Sequence, residues 1–226
     1  MGAGRHGGQR GRRGHCDGRS GGLSGPPDRV IFGLLRTLAD DILVGAATAR
    51  DEGYRPARVP PQWAALRDGR PAAPPIAVLS GRLDLDLAGP LLAGPAAAGA
   101  RTMVITARSA PQARRDEVAR HADLIIAGED RVDPAAAVAE LARRGLRRIL
   151  AEGGPHLLGQ LTAAGLVDEL CVTVSPVLAG GAAGRIIEGA PGTGTATPLV
   201  LAHVLADDSF LLCRYARRPG PGQPSP

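Results

Sequence analysis

The stretch Ile149–Gly181, ILAEGGPHLLGQLTAAGLVDELCVTVSPVLAGG, decides the fold class. Ile149, Leu150 and Ala151 form a short apolar run that predicts a buried strand ending at Glu152. Gly153 and Gly154 turn the chain. Pro155 stands where the first turn of a helix tolerates proline, because the N–H it lacks would have no partner there. Leu157, Leu158 and Leu161 share one helical face, and Gly165 supplies the stop. A second strand follows, with Leu170, Val172 and Val174 on one side, Cys171, Thr173 and Ser175 on the other, and Pro176 closing it.

The junction of strand, glycine pair and helix start suits an anion. Without side chains, Gly153 and Gly154 let a phosphate approach the backbone, and free N–H groups and the helix dipole favour negative charge. The same pair also fits a turn needed only for tight strand–helix packing. The stretch is not a GxGxxG fingerprint and lacks the lysine of a Walker loop.

Working outward, the alternation repeats. A helix is predicted over Pro26 to Leu38, with Val30, Ile31, Leu34, Leu35 and Leu38 as its stripe and Ser24 or Gly25 at its cap. Short apolar strands are expected at Ile42 to Gly45, Ile76 to Leu79, Thr102 to Thr106 and Leu124 to Ile126. Pro60 to Pro75 reads as a proline-punctuated connection with a helical turn at Trp63, and 87–99 and 110–121 as helical or irregular. Asp133 caps an amphipathic helix over Pro134 to Arg144. Leu199 to Ala206 and Phe210 to Tyr215 form a terminal hairpin around Asp207-Asp208-Ser209. Strands alternating with helices predict an α/β sheet covered on both faces, made mixed by the hairpin.

Composition narrows the function. At 226 residues the chain fits one domain with a sizeable core. Five aromatic residues leave that core aliphatic and disfavour a base-stacking surface. No run approaches a membrane span and no signal-peptide pattern follows Met1, so no membrane partner is expected. Cys16, Cys171 and Cys213 lack metal or redox spacing, and the last two read as reduced core residues of a cytoplasmic protein. Residues 1–20 carry five arginines against one acid, a net of +4, which leaves +1 of the total +5 for the other 206 residues. The basicity belongs to a leader, so a nucleic-acid partner is unlikely and would act through that leader alone. All 27 basic residues are arginine, as a GC-rich coding sequence produces.

EGGPHLLGQL, GLVDEL and SPVLAGG, together with GRSGGLSGPPDR and LLRTLADDILVGAATARDEGYRP between Gly18 and Pro56, resemble the pyrimidine reductase family. That family is the reductase domain of the bifunctional riboflavin-biosynthesis deaminase–reductase. The resemblance runs from about Gly18 to Arg217 in the family's order. It implies a three-layer α/β/α, dihydrofolate-reductase-like fold and a homodimer. It further implies NADPH as cofactor and reduction of the ribosylamino group of 5-amino-6-(5-phosphoribosylamino)uracil to ribitylamino. A dihydrofolate-reductase-like enzyme acting on another pterin or pyrimidine is the alternative within enzymes. The domain is expected over 17–217, between a Gly/Arg-rich leader at 1–16 and a Pro/Gly tail at 218–226.

The site residues follow from pattern and resemblance together. Gly153 and Gly154 are the first choice for cofactor phosphates. Gly45 and Ala46, small and just past a buried strand, let a cofactor lie against the backbone, and the resemblance adds Thr48 and Glu52, or Asp51, as contacts. Thr48 also reads as a helix cap. Ser80 and Arg82, beyond the strand Ile76 to Leu79, stand where the family meets the adenosine 2′-phosphate. For the substrate, the resemblance points to Ser20 and Arg36. Arg55 and Arg58, flanking Pro56, offer the planar fork that suits a 5′-phosphate. Glu152 is the candidate for orienting substrate or helping proton transfer. No metal cluster is expected.

One family element is missing. The domain should begin with a strand ending in S-[LV]-D-G, and GAGRHGGQRGRRGHC cannot be a buried strand. With arginine coded as CGN, the codons of Gln9 to Arg12, read from their second base, become ARC GNG GNC GNC, which permit Ser-Val-Asp-Gly. We therefore expect residues 1–16 to be a frame-shifted reading of that strand, joined to the family pattern by one lost base near codon 16.

Overall fold

The computed structural model describes residues 10–11, 23–93, 101–178, 183–189 and 197–218. The remainder of the 1–16 leader, the loop with Ser20, residues 94–100 of the segment expected as helical or irregular, and the tail from 219 lie outside them.

Five short apolar runs make an all-parallel sheet in the order β5-β4-β3-β2-β6: β2 is Asp41–Gly45, β3 Ile76–Leu79, β4 Met103–Thr106, β5 Asp123–Ile126 and β6 Ile149–Ala151. Register is fixed by pairs such as Ile42↔Ile76 and Leu43↔Ala151. Period-two alternation sends Leu43, Ala77, Met103 and Ile105 to one face. There they pack on Ala137 and Leu141 of α4 (Pro134–Arg143) and Leu157 and Leu161 of α5 (Pro155–Ala163). Ile42, Val44, Ile76 and Val78 meet Leu35 of α1 (Pro26–Leu38) and Ala49 of α2 (Ala46–Asp51) on the other. Val104 meets Val118 of α3 (Gln112–His121). Both faces are covered, which is why these strands read as continuous hydrophobic runs rather than as alternation.

The helix ends follow their sequence signals with one adjustment. Asp133 accepts from the Ala135 and Ala136 N–H groups at 2.8 and 3.4 Å, satisfying donors that a helix start leaves free. Gly25, not Ser24, is the N-cap of α1, and no side chain bonds there. A Cβ at that position would stand 2.3 Å from the Phe210 ring, so any larger residue would have to displace the ring. A 3₁₀ helix over Pro61–Arg67 carries Trp63, which lies against Gly33 of α1.

The antiparallel strands form their own sheet in the order β7-β10-β9, with β7 at Glu169–Val174, β9 at Leu199–Asp207 and β10 at Phe210–Arg217. Asp208 and Ser209, at φ 46° and 63°, make the tight hairpin turn, whose twist matches the flanking strands. The expected single mixed sheet is thus divided in two, because no strand among the described residues bridges β6 and β7. The one strand described ahead of α1, β1 (Arg10–Gly11), pairs instead with β8 (Ala183–Gly184).

Asp41, the first residue of β2, is fully buried, and neither carboxylate oxygen has a hydrogen-bond partner among the described residues. Burial pushes its pKa well above the ordinary range. The Ile42 N–H, already bonded to Pro75 O, opposes this only in part, and the Asp40 charge adds to it. The folded state therefore holds a proton that the unfolded chain releases near pH 4. Above that pH, stability falls by about 1.4 kcal/mol per unit until the folded pKa is passed. Asp41→Val is expected to stabilise the protein at pH 7 by roughly 1–3 kcal/mol, the range for an unsatisfied buried polar group. It should also flatten the decline above pH 4. Thermal melts of both proteins across pH 4–9 check this; parallel curves would mean that Asp41 is not the titrating group.

Candidate functional site

The carboxyl ends of β2, β3 and β6 open into a cleft of about 650 Å³, where ligands of open parallel sheets bind. Behind it the β2–β6 ladder runs on past the strand end: the Gly45 N–H donates to Gly153 O at 2.9 Å, and the Glu152 N–H to Leu43 O at 2.9 Å. Gly153 has φ +89°, a region that glycine enters without steric cost. Gly154, the N-cap of α5, has an ordinary φ of −70° and is needed for space, since a Cβ would stand 2.6 Å from Thr48 Oγ1. No side chain caps α5, so the dipole end and first-turn amides of this nine-residue helix remain available at the cleft. Ser80, buried, and Arg82, exposed, line the opposite wall; Arg82 has no hydrogen-bond or ion-pair partner among the described residues.

Directly behind the glycine loop, Glu152 anchors a second arrangement. Arg36 Nε and Nη2 donate to its two oxygens, each at 2.6 Å, and the Tyr54 hydroxyl donates to Oε2 at 2.6 Å. The Glu152 side chain is 1% exposed and that of Arg36 22%. The Arg36 guanidinium also lies over the Phe32 ring, 4.4 Å from its centroid. Burial opposes the Arg36 charge, but the two bonds to Glu152 outweigh it and raise the pKa. Burial, reinforced by the Glu152 charge, pushes the Tyr54 phenol far above its usual value, so Tyr54 is a permanent donor at neutral pH.

Of the expected residues, Gly45, Ala46, Thr48, Ser80, Arg82 and Gly154 come together on the cleft wall; Gly153 does not line it, but its carbonyl holds Gly45, which does. Glu152 and Arg36 pair with each other and do not line the cleft. Glu52, at the end of α2, is also off the cleft, while the alternative Asp51 lines it. Arg55 and Arg58 are exposed on the segment after α2, away from the cleft, and Ser20 lies outside the described residues. Sequence reading missed Tyr54, although it stands in the quoted GYRP motif. It also missed Arg50, which lines the cleft and bonds Asp84 Oδ2 at 3.0 Å, and Glu188 at the rim, 3.9 Å from the exposed His156 on the surface of α5. Among the described residues no cluster of three His, Cys, Asp or Glu could hold a metal ion, and no helix is long and apolar enough to cross a membrane.

Residues 11–212 match the RibD C-terminal domain. The chain belongs to that family. A curated relative from Archaeoglobus fulgidus, a 2,5-diamino-6-ribosylamino-4(3H)-pyrimidinone 5′-phosphate reductase, is 32% identical over 161 residues, 70% of this chain and 66% of its own length. The chain thus spans just under two thirds of that relative, and 41% of a second of the same name from Methanothermobacter thermautotrophicus, at 34% identity over 39% of this chain. Among solved structures, a pyrimidine reductase-like protein from Corynebacterium diphtheriae superposes with a TM-score of 0.82 at 25% identity, covering 97% of this chain and 91% of that one. The fold expected from the family resemblance is therefore the fold observed.

Proposed function

We propose that this RibD C-terminal domain is an NADPH-dependent reductase that converts the ribosylamino group of a phosphoribosylamino-pyrimidine, of the type 5-amino-6-(5-phosphoribosylamino)uracil, to ribitylamino. The observation carrying the proposal is the cleft at the ends of the parallel strands, with a glycine pair and an uncapped helix start on one wall and Ser80 and Arg82 on the other. A dinucleotide fits this cradle: Gly154 and the α5 amides would hold the pyrophosphate, Gly45, Ala46 and Thr48 would lie along it, and Ser80 with Arg82 would take a 2′-phosphate. When bound, NADPH supplies the hydride for C1′ of the ring-opened sugar. The protein's task is to hold two phosphate-bearing molecules face to face. Glu152 positions Arg36 and Tyr54 rather than transferring protons in this reading, because those two residues occupy both its oxygens. Arg55 and Arg58 remain the candidates for the substrate phosphate, with Ser20 beside them in the substrate set.

Arg82→Ala is expected to weaken NADPH binding about 10- to 100-fold, the loss of one charge-assisted contact, and to leave NADH binding nearly unchanged. Fluorescence titration with both cofactors tests this. Equal losses for the two would remove Arg82 from the 2′-phosphate.

A homodimer is the proposed assembly. Its support is the apolar surface that β9 and its neighbours leave exposed, including Leu201, Val204, Leu205 and Leu211. Sedimentation should give twice the 23.1 kDa chain mass. A cytoplasmic setting agrees with the free thiols of Cys171 and Cys213.

A further inference from the structure

The two large sheets end on facing, unused edges. β6 bonds only β2, β7 bonds only β10, and among the described residues nothing pairs with the other edge of either. Yet the strands are neighbours: Leu150 of β6 and Cys171 of β7 share one hydrophobic cluster. They also line one cavity of about 330 Å³ under α1, where Ile31, Leu34 and Leu35 form the roof. β6 and β7 follow each other in strand–helix–strand order through α5, and a βαβ crossover of that kind sets its two strands parallel and can leave room for one between them. A strand in that position would be covered on both faces and must be apolar nearly throughout.

We propose that the space between β6 and β7 is the seat of a strand encoded in the second reading frame of codons 1–16. The written residues 1–16, rich in glycine and arginine, cannot supply it. The second frame can. Read from the second base, with arginine as CGN, the sixteen codons become TGG, GNG, CNG, GNC, GNC, AYG, GNG, GNC, ARC, GNG, GNC, GNC, GNG, GNC, AYT and GYG. No stop is possible, tryptophan is fixed at the start, and every GNG or GNC admits valine or alanine. The frame thus permits Trp-Val-Arg-Ala-Ala-Met-Val-Ala-Ser-Val-Asp-Gly-Ala-Ala-Thr-Val, whose run Ala-Ala-Met-Val-Ala is the apolar strand the space requires. One added base before codon 17 joins it in frame to Asp17, nine residues ahead of the start of α1. Restored there, the strand would lead through α1 to β2, the same connection pattern that the rest of the sheet uses.

Two measurements test this without any enzymatic readout, so the reductase proposal stands or falls separately. In the gene, the middle base of each second-frame codon is the third base of a written one. T or C is expected as the third base at Gly7, Gly8 and Arg10; A or G there would place Gly, Asp or Glu in the strand and overturn the proposal. In the protein, the full chain with residues 1–16 replaced by the peptide above is compared with the chain as written by amide hydrogen exchange. Exchange in Ile149–Ala151 and Glu169–Val174 is expected to slow at least 100-fold in the replaced chain, with a midpoint several degrees higher. Unchanged exchange overturns the proposal. So does a written chain whose β6 and β7 are already protected: with concentration dependence, a second copy fills the space, and without it, the chain's own residues do.

Discussion

Arg36→Ala is expected to destabilise the fold by about 3–5 kcal/mol, the loss found when one partner of a buried ion pair is removed. The magnitude follows from what is left behind. Glu152 is 1% exposed, and without Arg36 its carboxylate keeps, among the described residues, only the Tyr54 hydroxyl as a side-chain donor. Because Glu152 ends β6 and its N–H continues the ladder to Leu43, the carboxylate cannot swing to water without disturbing the glycine loop beside it. Against a total stability of about 5–15 kcal/mol for a domain, this is a severe loss. Tyr54→Phe removes one bond and leaves Arg36 in place, so about 1–2 kcal/mol is expected. Glu152→Gln should fall between them, since the guanidinium it releases is 22% exposed and still stacked on Phe32. Urea unfolding followed through Trp63, which packs on α1 and is the chain's single tryptophan, reports all three. A loss below about 1 kcal/mol for Arg36→Ala would show that the pair does not hold the loop.

The network also shows what could be read without the structure. β2, β3 and β6 were legible because parallel strands covered on both faces leave unbroken apolar runs, and α1 because its stripe repeats at helical spacing. Asp133 and the Asp208-Ser209 turn were legible from local chemistry alone. The cleft wall was legible where small residues follow strand ends, as at Gly45, Ala46 and Gly154. What failed was pairing across the chain: Arg36 and Glu152 are 116 residues apart, and a lone helical arginine carries no sign of its partner. Each was singled out separately, Arg36 as a substrate contact and Glu152 for orienting substrate or helping proton transfer, and neither reading foresaw that they engage each other. Tyr54 was passed over because a tyrosine in a loop motif has no periodicity to betray burial. Nor could periodicity show that the hairpin sheet stands apart from the parallel one, since that depends on a strand between them.

Gly154→Val is expected to lower NADPH affinity at least 100-fold while the parallel sheet persists. The cause is lack of space. A Cβ at 154 would lie 2.6 Å from Thr48 Oγ1, closer than side-chain contacts tolerate, so the Thr48 hydroxyl would have to leave its place, and the two valine methyls reach beyond that Cβ. The added methyls would therefore displace α2 from the glycine loop or enter the cleft where a pyrophosphate would meet the α5 amides. Strain at φ is not involved, because Gly154 sits at −70°; that constraint belongs to Gly153 at +89°. Overpacking of this kind costs roughly 1–3 kcal/mol, so circular dichroism must first show a folded variant. A second pair of variants separates the steric cause from a general disturbance of the loop. Gly154→Ala alone should lose most of the affinity. Gly154→Ala with Thr48→Ala, which removes the clashing oxygen, should return to the affinity of Thr48→Ala by itself, a coupling that a double-mutant cycle measures directly. A folded Gly154→Val protein that binds NADPH normally would reduce the glycine pair to a packing turn.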